Sequence, residues 1–108
     1  MNEVQGTLVH TERLITVTKY LLIYENGDLS KAPAHFPAHR EAWNVFVQRG
    51  ALVMIGPVVN SPLFGALAVF TTREDAEAFA NSDPFVIHGV VSRWSVAEWK
   101  EALTSSDV

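Results

Sequence analysis

Residues 51–59, with the sequence ALVMIGPVV, are almost wholly apolar, and this run constrains the fold more than any other segment. A short apolar run bounded by turn residues is typical of a β-strand buried on both faces. Residues 15–24 (ITVTKYLLIY) and 65–71 (GALAVFT) predict two more strands, largely apolar on both alternating faces. A strand with one face in water should alternate apolar and polar residues instead. Both faces of the predicted sheet therefore need a cover.

The remaining predicted helices and the fourth strand complete a known order of secondary-structure elements. Helices are predicted over residues 37–49 and 72–80, a helical turn over residues 84–89, and a fourth strand over residues 90–99. The first helix is expected to begin at Pro37, because proline lacks the N–H that a first turn leaves unpaired, and to stop at Gly50. This order predicts an α+β fold: a ferredoxin-like βαββαβ protomer with two helices on one face of a four-stranded antiparallel sheet.

The composition is that of one folded domain. The chain has 108 residues, 48% of them hydrophobic and 19% charged, so it can bury one core and is not expected to be disordered. The domain is predicted over residues 15–99, with an N-terminal arm of residues 1–14 and a polar C-terminal tail of residues 100–108. Residues 26–37 contain two prolines and are predicted to form a loop where a lid could lie.

The apolar character of both sheet faces also predicts a partner. Two helices can cover only one face of a four-stranded sheet, so the second face would be left against water. A second copy of the same chain is the simplest cover. We therefore expect a homodimer in which two protomers pack sheet to sheet.

Charge and cysteine content exclude several classes of function. Eight Lys and Arg residues against twelve Asp and Glu residues give a net charge of −4 without a basic run, so nucleic-acid binding is not expected. The absence of cysteine excludes thiolate catalysis and cysteine-ligated metals. No apolar run approaches the roughly 20 residues of a membrane helix. The N-terminal residues do not resemble a secretory signal, so a cytoplasmic location is expected.

His39 is the first candidate for chemistry. It shares a helical stripe with Ala42, Trp43 and Phe46, so its imidazole is expected on the apolar face of the first helix. An imidazole can give and take a proton at neutral pH, and a carboxylate partner would fix its tautomer. The structural alternative is a half-buried histidine bonded to a backbone carbonyl near the helix start.

Asp83 is the second candidate, and it lies far along the chain. Asp before proline is a common helix N-cap, so its carboxylate could simply satisfy the N–H groups of the turn after Pro84. Its functional role would be to orient His39, as a third group orients the base in other sites. Both roles can hold at once.

Seven further residues are candidates for the lining of a substrate site. The Gly-Pro pair at 56–57 ends a buried strand, where glycine could let a ligand approach the backbone closely. The aromatic candidates could wall an aromatic substrate, although such residues are usually part of the core. The seven are Trp43, Gly56, Pro57, Phe85, His88, Arg93 and Trp94.

His35 and His39 have the spacing of a His-x-x-x-His metal motif, which needs both residues on one helical face. Because Pro37 is predicted to begin the helix, His35 is expected to lie outside it, and no metal site is predicted. The chain has no phosphate-binding glycine loop and no dinucleotide fingerprint, so no organic cofactor is expected.

A set of short motifs, in order along residues 17–99, resembles the YCII-related (YciI-like) family. The motifs are Phe36-Pro37-Ala38-His39, Gly50, Gly56-Pro57, and Asp83-Pro84-Phe85 followed by Gly89. The resemblance implies a dimeric α+β barrel of ferredoxin-like protomers and an active site around a His–Asp pair, here His39 and Asp83. The family often has an arginine at the position of Phe36, and Arg40 or Arg93 could replace it in binding an anionic substrate.

Two hypotheses of function follow. The first is a small dimeric enzyme in which His39 shuttles a proton and Asp83 orients it, for elimination, isomerisation or hydrolysis of a compact, aromatic or enol-type substrate. The second is a non-catalytic dimeric module that binds a small ligand or a partner chain, with the two residues as a structural polar pair. A haem enzyme or flavin-free oxygenase is a third, weaker alternative.

Overall fold

A computed structural model describes residues 17–103, so the predicted arm of residues 1–14 and residues 104–108 of the predicted tail lie outside the described residues. The strands are β1 (Thr18–Asn26), β2 (Leu52–Pro57), β3 (Phe64–Phe70) and β4 (Val91–Lys100), and the helices are α1 (Ala32–Gln48), α2 (Arg73–Ser82) and the single turn α3 (Pro84–Ile87). The sheet order is β2-β3-β1-β4, with every neighbouring pair antiparallel. The predicted ferredoxin-like α+β fold is confirmed.

The start of α1 corrects the sequence prediction. The helix begins at Ala32 rather than Pro37, and a 3-10 turn at Leu29–Lys31 precedes it directly. Pro33 occupies the first turn, where its missing N–H has no cost, and Pro37 lies inside the helix. The prediction of a long loop over residues 26–37 is therefore wrong, and no extended lid exists there.

The other element boundaries follow from local chemistry, as predicted. Gly50 ends α1 with a φ of 75°, a left-handed conformation that suits glycine. Thr72 caps α2, because its hydroxyl oxygen accepts the N–H of Asp75 at 3.1 Å. Asp83 closes α2 and caps α3. The caps thus fix where each helix starts and stops.

The core lies between the helices and one face of the sheet. Leu22 and Phe70 of the sheet and Phe79 of α2 are fully buried, and Phe46 of α1 joins them. The rings of Phe46 and Phe79 meet edge to face with centroids 5.5 Å apart, a favoured aromatic geometry. Each buried ring contributes about 1.5–3 kcal/mol through the apolar surface it removes from water.

The opposite face of the sheet is also apolar. In the β1–β3 register, Leu21 pairs with Val69 and Ile23 pairs with Leu67, on the face turned away from the core residue Leu22. None of the described helices covers this face. No helix within residues 17–103 is long and apolar enough to cross a membrane.

A backbone connection joins the end of β1 to the start of β4. The N–H of Gly27 donates to the carbonyl of Val90 at 2.8 Å, and the N–H of Asp28 donates to that of Gly89 at 2.9 Å. A Cβ at position 27 would collide with the Gly89 carbonyl, so the two segments can approach this closely only with glycine there. We call these four residues the backbone clasp.

Candidate active site

His39 and Asp83 meet in the folded chain, although 44 residues separate them. His39 lies well inside α1, and Asp83 lies between α2 and α3. Nδ1 of His39 is 2.7 Å from Oδ1 of Asp83. Asp83 is fully buried, and His39 is 6% exposed. A hydrogen bond this short between two buried groups fixes the position of both side chains.

Asp83 accepts hydrogen bonds from two donors besides His39. Its Oδ2 accepts the hydroxyl of Tyr24 at 2.6 Å, and its Oδ1 accepts the N–H of Phe85 at 3.0 Å. A buried carboxylate is costly unless it is hydrogen-bonded, and here both oxygens have partners. The cap and the contact with the histidine, which the sequence analysis allowed to hold at once, therefore coexist.

Tyr24 is the member of this cluster that sequence reasoning missed. Burial, the negative charge of Asp83 and the hydrogen bond to it raise the pKa of the Tyr24 hydroxyl above its usual range. The hydroxyl therefore stays protonated and keeps donating to Asp83. A signal existed in the sequence, because Tyr24 alternates with Leu22 along β1 and a buried tyrosine hydroxyl needs a partner.

The Asp83 contact determines which nitrogen of His39 is available for chemistry. A carboxylate only accepts hydrogen bonds, so Nδ1 carries a proton and Nε2 is the acceptor of the neutral ring. Among residues 17–103, no side chain or backbone group forms a hydrogen bond with Nε2. The geometry therefore leaves a basic nitrogen for a ligand.

Aromatic rings hold the imidazole in place. The ring of Phe85 stacks on it with centroids 3.9 Å apart and an interplanar angle of 4°. Trp43 meets it edge to face at 4.9 Å, and Phe36 and Phe79 pack at 5.9 and 6.3 Å. The imidazole is thus clamped on its face and at its edge, which keeps its orientation constant.

A cavity of about 400 Å³ lies between α1 and the sheet, and His39 is part of its wall. Four of the predicted lining residues are in the wall as well: Trp43, Gly56, Pro57 and Phe85. The remainder is mostly apolar and includes Leu22, Leu29, Phe36, Ile55 and Val90. No Lys, Arg, Asp or Glu is among the described residues that line it. The cavity therefore suits a small, largely apolar molecule.

The other three predicted lining residues lie elsewhere. Trp94 pairs with Tyr24 in the β1–β4 register and packs against the core. Arg93 points to the opposite face, where its Nε lies 3.3 Å from Oε2 of Glu25. His88 is exposed at the end of α3 and stacks on His35. Alternation along β4 turns Arg93 away from the cavity, and His88 lies at the exposed end of α3. Trp94 shares the core face of the sheet but is not part of the cavity wall.

The relation between His35 and His39 also differs from the prediction. Both residues belong to α1, so the expectation that His35 lies outside the helix is wrong. Their rings nevertheless have different partners, because His35 stacks on His88 and His39 is hydrogen-bonded to Asp83. Within the described part of the chain, no group of three or more His, Cys, Asp or Glu side chains is arranged to hold a metal ion.

Comparisons with known proteins agree with this architecture. The family model of the YCII-related domain matches residues 18–100. A similar solved structure is the 5-chloro-2-hydroxyhydroquinone dehydrochlorinase (TftG) of Burkholderia phenoliruptrix AC1100 in complex with 2,5-dihydroxybenzoquinone. It is 17% identical, with a TM-score of 0.64 over 78% of this chain and 95% of the other, and it shows the same fold. A search of the curated proteins finds no match. The chain belongs to the YCII-related family.

Proposed function

We propose that this protein is an enzyme that uses His39 for acid–base chemistry on a small organic, aromatic substrate. The observation that carries the proposal is a buried imidazole whose Nδ1 is held by Asp83 and whose ring forms part of the wall of an apolar cavity. Perturbed or paired titratable groups in a cleft are typical of functional sites. Proton transfer by a positioned histidine needs no organic cofactor or metal.

The chemistry follows from the two ring nitrogens. Nε2 takes a proton from a hydroxyl or an activated carbon of the substrate, and the bonding electrons stay on the substrate. The imidazolium that forms is stabilised by the Asp83 carboxylate, which Tyr24 and the Phe85 N–H hold in place. In an elimination, those electrons form a double bond as the leaving group departs with its own pair. In an isomerisation, Nε2 returns the proton to another atom.

The size and polarity of the cavity support a single-ring substrate. A volume of about 400 Å³ is at the small end of ligand sites, and its walls are aliphatic and aromatic. The dehydrochlorinase that shares this fold is described with 2,5-dihydroxybenzoquinone, which is a single-ring compound. Elimination on a hydroxylated ring is therefore the first reaction to test.

The test compares His39→Gln with His35→Gln on a panel of single-ring hydroxylated and chlorinated aromatics, followed by chloride release and ultraviolet absorbance. Loss of the proton shuttle should lower kcat about 10²–10⁴-fold in His39→Gln. His35→Gln is the control, because its ring lies one helical turn away and stacks on His88. Full turnover by His39→Gln on an active substrate would refute the proposal.

The second candidate is a non-catalytic module that binds a small ligand or a partner chain. It is favoured by the cap geometry, since Asp83 would be needed for α3 even without any chemistry. In that case a ligand should bind the wild type and His39→Gln, and neither protein should turn over any member of the panel. Turnover that depends on His39 would exclude this alternative.

We also propose that two copies form a homodimer by packing through the sheet face that carries Leu21 and Ile23, opposite the helices. Met54 lies on that face, opposite Val69 in the β2–β3 register, and is 64% exposed. Together with Leu21, Ile23 and Leu67 it makes this face a contiguous apolar patch, and such patches commonly mark an association surface. Sedimentation of Met54→Lys should give a monomer, whereas Val45→Lys, at an exposed position on α1, should sediment like the wild type. Monomeric wild-type protein at micromolar concentration would contradict the proposal.

A further inference from the structure

We propose that the cavity holds a second substrate-binding group, the side-chain amide of Asn26. A single-ring substrate would place one polar substituent at His39, and the Asn26 amide would bind a second, uncharged hydroxyl or carbonyl substituent. This inference rests on the proposed function, because it assigns the substrate class of the same cavity. It makes Asn26 a residue that decides specificity.

Asn26 is a polar side chain in an apolar wall. It ends β1, where a register irregularity follows Glu25, and it is one of the few polar residues that line the cavity. Its backbone N–H donates to the carbonyl of Leu63 at 3.1 Å. Its side-chain amide forms no hydrogen bond with any group of residues 17–103. An amide beside apolar walls is better satisfied by a ligand, since it can both donate and accept.

Gly65 makes this position possible. A Cβ at residue 65 would collide with Oδ1 of Asn26 and come within 3.2 Å of its Cγ. The backbone φ of Gly65 is not in the left-handed region, so the glycine is needed for space rather than for conformation. The pair therefore places an amide directly on the surface of β3, within the cavity wall.

The charges of the wall restrict the ligand further. With no Lys or Arg among the described lining residues, a carboxylate or phosphate on the ring would lose its hydration without gaining a counter-charge. His39 can balance one negative charge, which is the charge that proton transfer creates on the substrate. The cavity thus selects a neutral ring with two polar substituents, such as a hydroquinone.

Isothermal titration under argon with hydroquinone, phenol and 4-hydroxybenzoate tests the inference. The wild type should bind hydroquinone about three- to tenfold more tightly than phenol, the value of one extra hydrogen bond. It should bind 4-hydroxybenzoate more weakly than phenol. Asn26→Leu should lose the preference for hydroquinone over phenol, whereas Asn44→Leu, exposed on α1, should keep it.

The outcomes separate the two proposals. A preference for hydroquinone that survives in Asn26→Leu would overturn the role of Asn26 and leave the proposed enzyme intact. Wild-type protein that shows no preference for hydroquinone over phenol, or that binds neither, would also overturn the role of Asn26, whereas the proposed enzyme is refuted separately by full turnover in His39→Gln. If Asn26→Leu does not fold, Asn26→Ala and Gly65→Ala give the same readout, because the first removes the amide and the second displaces it.

Discussion

Two histidines on α1, one helical turn apart, occupy opposite situations. His35 stacks on His88 with ring centroids 4.0 Å apart and an angle of 6°, and His39 stacks on Phe85 at 3.9 Å and 4°. The stacking geometry is nearly identical, yet only His39 is buried against a carboxylate. Among the described residues, no carboxylate lies within ion-pair distance of His35 or His88. What separates the proposed catalytic imidazole from the surface one is the buried counter-charge of Asp83.

Removal of that counter-charge should have the largest effect. Asp83→Ala leaves the Tyr24 hydroxyl and the His39 N–H without an acceptor and takes away the cap of α3. We expect a loss of about 3–5 kcal/mol in the free energy of unfolding, measured by urea denaturation. Glu77→Ala, at an exposed i,i+4 pair with Arg73, is the control and should change it by less than about 0.5 kcal/mol. Equal effects would refute the special status of Asp83.

Tyr24→Phe should have the next largest effect. It removes the hydroxyl that donates to Oδ2 of Asp83 and leaves the packing of the ring intact. A hydrogen bond to a charged group is worth about 1.5–3 kcal/mol, so urea denaturation at pH 7 should show a loss of that order. If the stability is unchanged, water can replace the hydroxyl, and the cluster is wetter than the structure shows. Tyr20→Phe, at the other tyrosine of β1, serves as the control.

The raised pKa of the Tyr24 hydroxyl predicts a loss of folding stability at alkaline pH. The folded state disfavours the phenolate, so the contribution of Tyr24 is fully present below the unfolded-state pKa of about 10 and is lost as the pH rises above it. The wild type should lose about 1.4 kcal/mol more than Tyr24→Phe for each pH unit above that value. Urea denaturation at pH 8 and pH 11 measures the difference. Parallel curves for the two proteins would contradict the burial of the hydroxyl.

Disruption of the surface pair should have the smallest effect. His88→Ala removes the stacking partner of His35, and both rings have access to solvent. We expect a change below about 1 kcal/mol in stability and no change in kcat on any substrate found in the panel. A loss of turnover comparable to that of His39→Gln would mean that the two histidine sites are coupled and that the surface pair also contributes to activity.

Much of the fold could be predicted from local sequence patterns. The prediction from Asp83-Pro84 of a cap and a short helical turn is confirmed, and so is the stop at Gly50. The start of α1 was missed because Pro33 and Pro37 both satisfy the rule for a first turn, and only the packed helix shows which of them begins it. Periodicity alone did not distinguish the two.

The site was less accessible to sequence reasoning. Local patterns gave His39 and Asp83 separately, but their contact spans 44 residues and depends on how α1 and α3 pack. The Tyr24 contact spans 59 residues, and the alternation of Tyr24 with Leu22 indicates a buried hydroxyl without indicating its partner. For Trp94 and Arg93 the strand was predicted, but the cavity lining was not. The pairing of β4 with β1 decides which face of the sheet each residue occupies.

The backbone clasp has a consequence for how the molecule opens. It fastens the segment that leads into α1 to the segment that follows α3, so the carriers of His39 and Asp83 share a boundary. In deuterium exchange, the amides of Gly27 and Asp28 should therefore take up label together and at the slow rate of strand amides, unlike those of an ordinary connecting loop. A ligand that tightens the cavity should slow their uptake further, which makes these two amides a reporter of occupancy that lies outside the chemistry itself.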